Sequence, residues 1–189
     1  MIRIALCLVA ALLIACTPAK AQEAAIPVPA GPPENVSAED ARTGWQMGMS
    51  LLEAGYMEEA FLWVAWSADA GDSYGFISRG VMLAAGQGTP QNLEEARLWY
   101  RRAAERGSAH AHRALAGMYI TGEGGPIDAP LGFALLDLAV AGGDEMAPRM
   151  AELFPQYGFV RPDEDAIAQA RDRWLEEIGL RPGDIGETR

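Results

Sequence analysis

A chain of 189 residues, half of them hydrophobic, carries enough apolar side chain for one core of ordinary size, which excludes a disordered tail. With 26 acids against 15 cations, a net of −11, it argues against nucleic acid and against adhesion to anionic lipid through bulk charge. Its two cysteines, Cys7 and Cys16, both lie near the start, so the remainder has no disulfide and no thiol chemistry to draw on.

Met1-Ile2-Arg3 is a short positive segment, Ile4 to Ala15 is an apolar run of 12 residues, and Ala19-Lys20-Ala21 offers small residues where a signal peptidase needs them. Crossing a bilayer takes about 20 apolar residues, so residues 1–21 read as a secretory signal cut after Ala21. Leu13-Ile14-Ala15-Cys16 also resembles a bacterial lipobox, which would make Cys16 a lipidated first residue. Both readings export the chain to the periplasm, free or lipid-anchored, with that anchor as its sole hold on a membrane. A cut after Ala21 removes Arg3 and Lys20, two of the 15 cations, and leaves 13 arginines against 26 acids, a net of −13. Residues 22–36 hold four prolines and no hydrophobic period, the composition of an extended spacer.

A helical domain is expected over 37–180, in units of about 37–71, 72–107, 108–143 and 144–180, with 181–189 as a tail. Ser37 with Asp40 three residues on predicts a helix from Ala38 to about Ala54, and a second helix runs from about Met57 to Ala70. The next pair is Ser73 to Ala85 and a helix capped by Asn92 with Glu95 at the box position. Ser108 opens a helix to about Thr121, and Asp128 caps another with Pro130 in its first turn. A helix from Asp144-Glu145 should end near Phe154, before Pro155, and be short or bent because of Pro148. The last runs from Pro162-Asp163 to about Leu180, with Ile167, Ala170, Trp174, Leu175 and Ile178 on one face.

Asp72 to Gly143 reads as two rows of 36 residues. They set Gly86 over Gly122, Gly88 over Gly124, Met82 over Met118, Ala103 over Ala139 and Gly107 over Gly143. A fixed period of this size marks stacked repeats. Trp63 precedes Trp99 by the same 36, whereas Gly48 precedes Gly80 by 32, so the first unit lacks four residues between its helices. The glycine pairs join helix to helix and recur with the period, so they are turns using positive φ, not a phosphate cradle.

Leu115-Ala116-x-Met118-Tyr119-x-x-Gly122-x-Gly124 followed by Asp128 resembles the Sel1-like repeat, a relative of the tetratricopeptide repeat. Gly80-x-Met82, Gly86-x-Gly88, Ala96-Arg97-x-Trp99-Tyr100 and Ala103-Ala104-Glu105-Arg106-Gly107 carry the same frame. There are departures: Arg79 stands where Leu115 does, Ala116 replaces the usual glycine, and Gly132 replaces Ala96. The resemblance implies an all-α fold, a right-handed α-solenoid of antiparallel helix pairs whose first helices line a concave face. It also implies a scaffold or adaptor that binds proteins.

Carrying the concave positions onto this chain gives Arg42, Trp45 and Met49, then Tyr74, Ile77 and Val81, then His110, Arg113 and Ile120, then Met146 and Arg149. An apolar, aromatic strip with arginines inside an acidic chain would suit a protein or peptide with an acidic or carboxylate group. The competing reading is that these side chains pack between repeats, as Trp63, Trp99 and Tyr100 are expected to do in the core. No cofactor is expected. His110 and His112 point roughly 200° apart on a helix, so they are poorly placed to share a metal and read as one solvated and one packing histidine, and the serines lie at caps or lack a nucleophile setting. A non-catalytic binding scaffold of the cell envelope is the expectation, and the alternative is an envelope enzyme or muropeptide-binding protein acting on cell-wall material.

Overall fold

The computed structural model describes residues 38–180. The signal segment, Cys16, the proline-rich spacer, Ser37 and the tail lie outside the described residues. Eight helices and no strand make up the described part: α1 Ala38–Glu53, α2 Met57–Asp69, α3 Ser73–Ala85, α4 Leu93–Ala104, α5 Ala109–Thr121, α6 Ala129–Ala141, α7 Ala147–Gln156 and α8 Glu164–Glu177.

Local chemistry sets the helix starts. Asn92 accepts from the Glu95 amide, Ser108 from Ala111, Asp128 from Leu131 and Asp163 from Ala166, each satisfying an amide that the helix itself leaves unpaired. For α3 the cap is Asp72, not Ser73: its carboxylate accepts from Tyr74 and Gly75. Asp144 likewise accepts from Met146 and Ala147, so α7 starts later than the Asp144-Glu145 pair suggests. The helix also runs past Pro155 to Gln156; a proline in the last turn forfeits only one backbone bond near an end that is already fraying.

Consecutive helices pack as antiparallel pairs, α1 on α2, α3 on α4 and α5 on α6, and each pair packs on the next through α2–α3 and α4–α5. The α1–α2 connection has three residues, 54–56, where α3–α4 and α5–α6 have seven each, 86–92 and 122–128, which is the four-residue shortening read from the period. Gly86 and Gly122 close α3 and α5 in the left-handed region, at φ 68° and 82°. The second glycine of each pair does something else. A Cβ on Gly88 would collide with the Met57 carbonyl, and one on Gly124 with the Leu93 carbonyl. Each therefore lets a loop sit on the first turn of the previous unit's second helix, and Met57 and Leu93 are themselves 36 apart.

The core is continuous from Ala68 to Leu175, with a smaller cluster of Leu51, Ala60, Val64 and Met82 beneath α1. Two departures from the repeat pattern explain themselves here. Gly132 abuts Ile120, whose Cγ1 would lie 2.5 Å from an added Cβ, and the corresponding pair one unit earlier is Ala96 with Ala84. Volume has moved from one helix to its partner. Gly80 abuts the Tyr100 ring, and 36 residues on the pair becomes Ala116 with Leu136, a larger residue facing a smaller one.

The last unit does not close as a hairpin. α7 packs on α6, but α8 also lies chiefly on α6. Trp174 sets its edge against His112 of α5 at 6.3 Å between ring centroids, while Arg101 of α4 reaches over the Trp174 ring and pairs with Glu177. Phe154 of α7 bridges Phe133 and Phe159. The helix expected to pair with α7 thus covers the outer side of the third unit.

Candidate functional site

The first helices α1, α3, α5 and α7 form one row, joined by specific contacts. Arg42 on α1 donates Nε to Asp72 at 2.8 Å and lies 4.2 Å from the Tyr74 ring centroid. Trp45 tilts against Tyr74 at 5.0 Å and donates its indole N–H to Ser78 at 2.9 Å. On α5, Arg113 pairs with Asp144 at 2.9 Å and contacts the Met150 sulfur, which joins α5 to α7. Both arginines therefore hold an acid whose carboxylate accepts from amides at the start of the next first helix, and at the middle junction, where the cap is Ser108, the row shows Tyr74 and Ile77 instead of an arginine.

Electrostatics follow these contacts. Burial works to raise the Asp144 pKa, but the Arg113 hydrogen bond and charge, with the amides of Met146 and Ala147, outweigh it and hold the carboxyl below its usual value. His110, 2.9 Å from the Arg113 guanidinium, has its pKa lowered by burial and by that charge, against an opposing pull from Asp144. His112 is buried, and burial alone lowers it to about 4, so it is neutral at physiological pH. The two histidines face different surroundings, one the surface and one Trp174. Among the described residues no group of three or more His, Cys, Asp or Glu could hold a metal ion. Tyr100, deep in the core, is pushed up to about 12 by burial, with the Arg113 charge opposing.

Most of the residues expected on the inner face lie on this row. Arg42, Tyr74, Val81, His110, Met146 and Arg149 are exposed, and Trp45, Met49, Ile77 and Arg113 are half-buried. Ile120 is not on it. At 2% exposure it fills the space left by Gly132, so it belongs to the core. The residue that continues the Met49, Val81 series is Gly117, 36 after Val81, and its open side faces the Met150 methyl.

Between α3 and α5 the row opens into a cleft of about 360 Å³ lined by Ser73, Tyr74, Ile77, Gly107, Ser108, His110 and Arg106. A neighbouring cleft of about 450 Å³ lies at the ends of α2 and α4, lined by Phe76, Asp69, Arg102, Glu105 and, again, Arg106. Arg106 and Arg102 escape a reading of helix faces because both clefts form where turns meet. The available signal was that neither arginine has an acid at helical spacing that is not already claimed: Arg101 takes Glu105.

A family model for the Sel1 repeat matches residues 77–108 and 109–144. Residues 77–144 carry two Sel1 repeats. Solved structures agree on the fold. A protective antigen of uropathogenic Escherichia coli displaying an SLR fold superposes with a TM-score of 0.64 at 20% identity, over 73% of this chain and 30% of that one. A Sel1 repeat protein from Oxalobacter formigenes superposes at 0.55 with 26% identity, over 61% of this chain and 91% of that one. The chain thus spans less than a third of the antigen's length. No curated protein matches it. The architecture is the helical-repeat solenoid of these Sel1 proteins, a fold that typically serves as a non-catalytic scaffold binding other proteins.

Proposed function

We propose that this Sel1-repeat chain is an exported bacterial adaptor that binds a segment of a partner protein along the row formed by α1, α3, α5 and α7. The supporting observation is the cleft between α3 and α5, where Tyr74 is 49% exposed beside Ile77, with Val81 also open on the same helix. An exposed aromatic and a branched aliphatic chain in a concave seam are the kind of anchor that peptide segments use. Arg42 and Arg113, by contrast, already have carboxylate partners in Asp72 and Asp144 and serve to join the helices. Export rests on the leader-like residues 1–21, and a lipid anchor on Cys16.

The test is crosslinked capture from the envelope fraction by the full chain and by a Tyr74→Ala, Val81→Ala double variant. Loss of the captured species at unchanged helical content is expected; an identical set of species would overturn the groove reading. Intact mass of the native protein distinguishes a cut after Ala21 from a lipidated Cys16, and a mass retaining residues 1–21 would sink export by this leader.

A further inference from the structure

Arg102 and Arg106 share the wall of the 450 Å³ cleft. The 450 Å³ cleft has two acids in its wall, Asp69 and Glu105. Each is paired with an arginine outside that wall: Asp69 with Arg79 at 2.8 Å and Glu105 with Arg101 at 3.0 Å. Neither Arg102 nor Arg106 has a carboxylate partner among the described residues. Both are exposed and sit over aromatic rings, Arg102 at 4.3 Å from the Trp99 ring centroid and Arg106 at 5.2 Å from Phe76. Arg106 donates one N–H to the Gly71 carbonyl at 3.2 Å, leaving most of the guanidinium fork unused.

The fold does not require these charges. One period earlier the same two positions are Trp66 and Ala70, and one period later they are Leu138 and Gly142. Packing therefore tolerates a neutral residue at both, and only the second unit has a cationic pair there. Arg106 also lines the α3–α5 cleft, so it forms the wall between an apolar seam and a cationic pocket.

We infer that Arg102 and Arg106 recognise a carboxylate side chain on the partner segment whose neighbouring apolar residue enters the Tyr74–Ile77 cleft. This inference deepens the groove reading and rests on it. A carboxylate suits the site because a guanidinium fork accepts its two oxygens side by side, and the aromatic rings beneath keep the forks oriented. A dianionic phosphate suits it less, since Asp69 and Glu105 stand in the same wall.

The probe is a fluorescein-labelled, capped peptide with the motif Leu-Asp-Asp repeated twice, measured against its Leu-Asn-Asn isostere by fluorescence anisotropy on the full chain. The Asp peptide should bind at least 10-fold more tightly than the Asn peptide. Arg102→Gln and Arg106→Gln should each weaken the Asp peptide by 5-fold or more and bring the two peptides close to parity, while Arg171→Gln changes neither. Among the described residues the Arg102 side chain makes no hydrogen bond to the backbone, so its variant reports on binding even if Arg106→Gln perturbs the turn. An Asp-to-Asn preference below 2-fold, or one that survives both arginine variants, overturns the inference, as does full displacement of the peptide by inorganic phosphate at millimolar concentration. The groove reading fails separately: loss of peptide discrimination with Tyr74-dependent capture intact removes only the arginine role, whereas arginine-dependent peptide binding with Tyr74-independent capture removes only the groove.

Discussion

The second helices of the two regular units, α4 and α6, occupy the same phase of the repeat and lead different lives. α4 is amphipathic. Its Ala96, Trp99, Tyr100 and Ala103 face the core, and Leu98 is 61% exposed on the outer side with Arg102. On α6 the counterpart of Leu98 is Ala134, fully buried at 0% exposure, and the counterpart of Arg102 is Leu138, also buried. The difference is α8, which lies on the outer side of α6 and leaves α2 and α4 open, so that Leu62 and Leu98, one period apart, are both exposed. An apolar side chain at a given phase is therefore not core by virtue of phase; position in the stack decides whether anything covers it.

The strongest way to break this comparison is at Phe133, which stands where α4 has Arg97. Arg97 lies 3.7 Å from the Tyr119 ring centroid and donates to the Pro126 carbonyl, while Phe133 packs on Phe154 under the Arg161 guanidinium. Phe133→Ala should cost about 3–5 kcal/mol, because truncation leaves a cavity under Phe154 of α7 and Arg161 of the connection that follows it. Urea unfolding measures it, and a cost below about 1 kcal/mol would mean that α7 and the connection after it do not seal this end.

A second test uses pH. His112 on α5 is buried against Trp174 of the covering helix, with a folded pKa of about 4 against 6.5 in the unfolded chain. Because the folded pKa is depressed, the unfolded state binds the proton first, so stability is intact above about pH 6.5 and is lost as pH falls toward 4. The loss approaches on the order of 3 kcal/mol at pH 4, an upper figure set by how completely the site stays dry. His112→Leu should flatten the stability profile over that window relative to the parent chain. Parallel profiles for the two would show that α8 does not desolvate the imidazole.

Smaller effects sharpen the contrast directly. Ala134→Leu, writing α4's residue into α6, should cost about 1–3 kcal/mol through overpacking beneath α8. The reverse change, Leu98→Ala, should alter stability by no more than about 0.5 kcal/mol, since it removes a side chain that little covers. Equal costs for the two, compared by thermal melts, would contradict the placement of α8.

Much of this was legible in the residues. Asn92, Ser108, Asp128 and Asp163 announce helix starts through short-range geometry, and the recurring glycines announce the turns. Ile120 was misplaced because its helical phase from Arg113 points it inward, and only the missing side chain of Gly132 on the facing helix reveals the space it fills. The inner-face arginines illustrate the same limit: Arg42 and Arg113 look free along the chain, yet their partners Asp72 and Asp144 are 30 and 31 residues away.

The sequence by itself determined the repeat, its period, the shortened first connection and the caps of α4, α5, α6 and α8, because each of these depends on residues within a turn or on comparison of one unit with another. Tertiary structure alone decided that α8 turns back onto α6, that Ile120 is core, and that Arg102 and Arg106 are left with an open face at the meeting of two clefts. Those outcomes depend on which surfaces of different units meet, and that is set by side-chain volume and charge distributed over elements far apart in the chain.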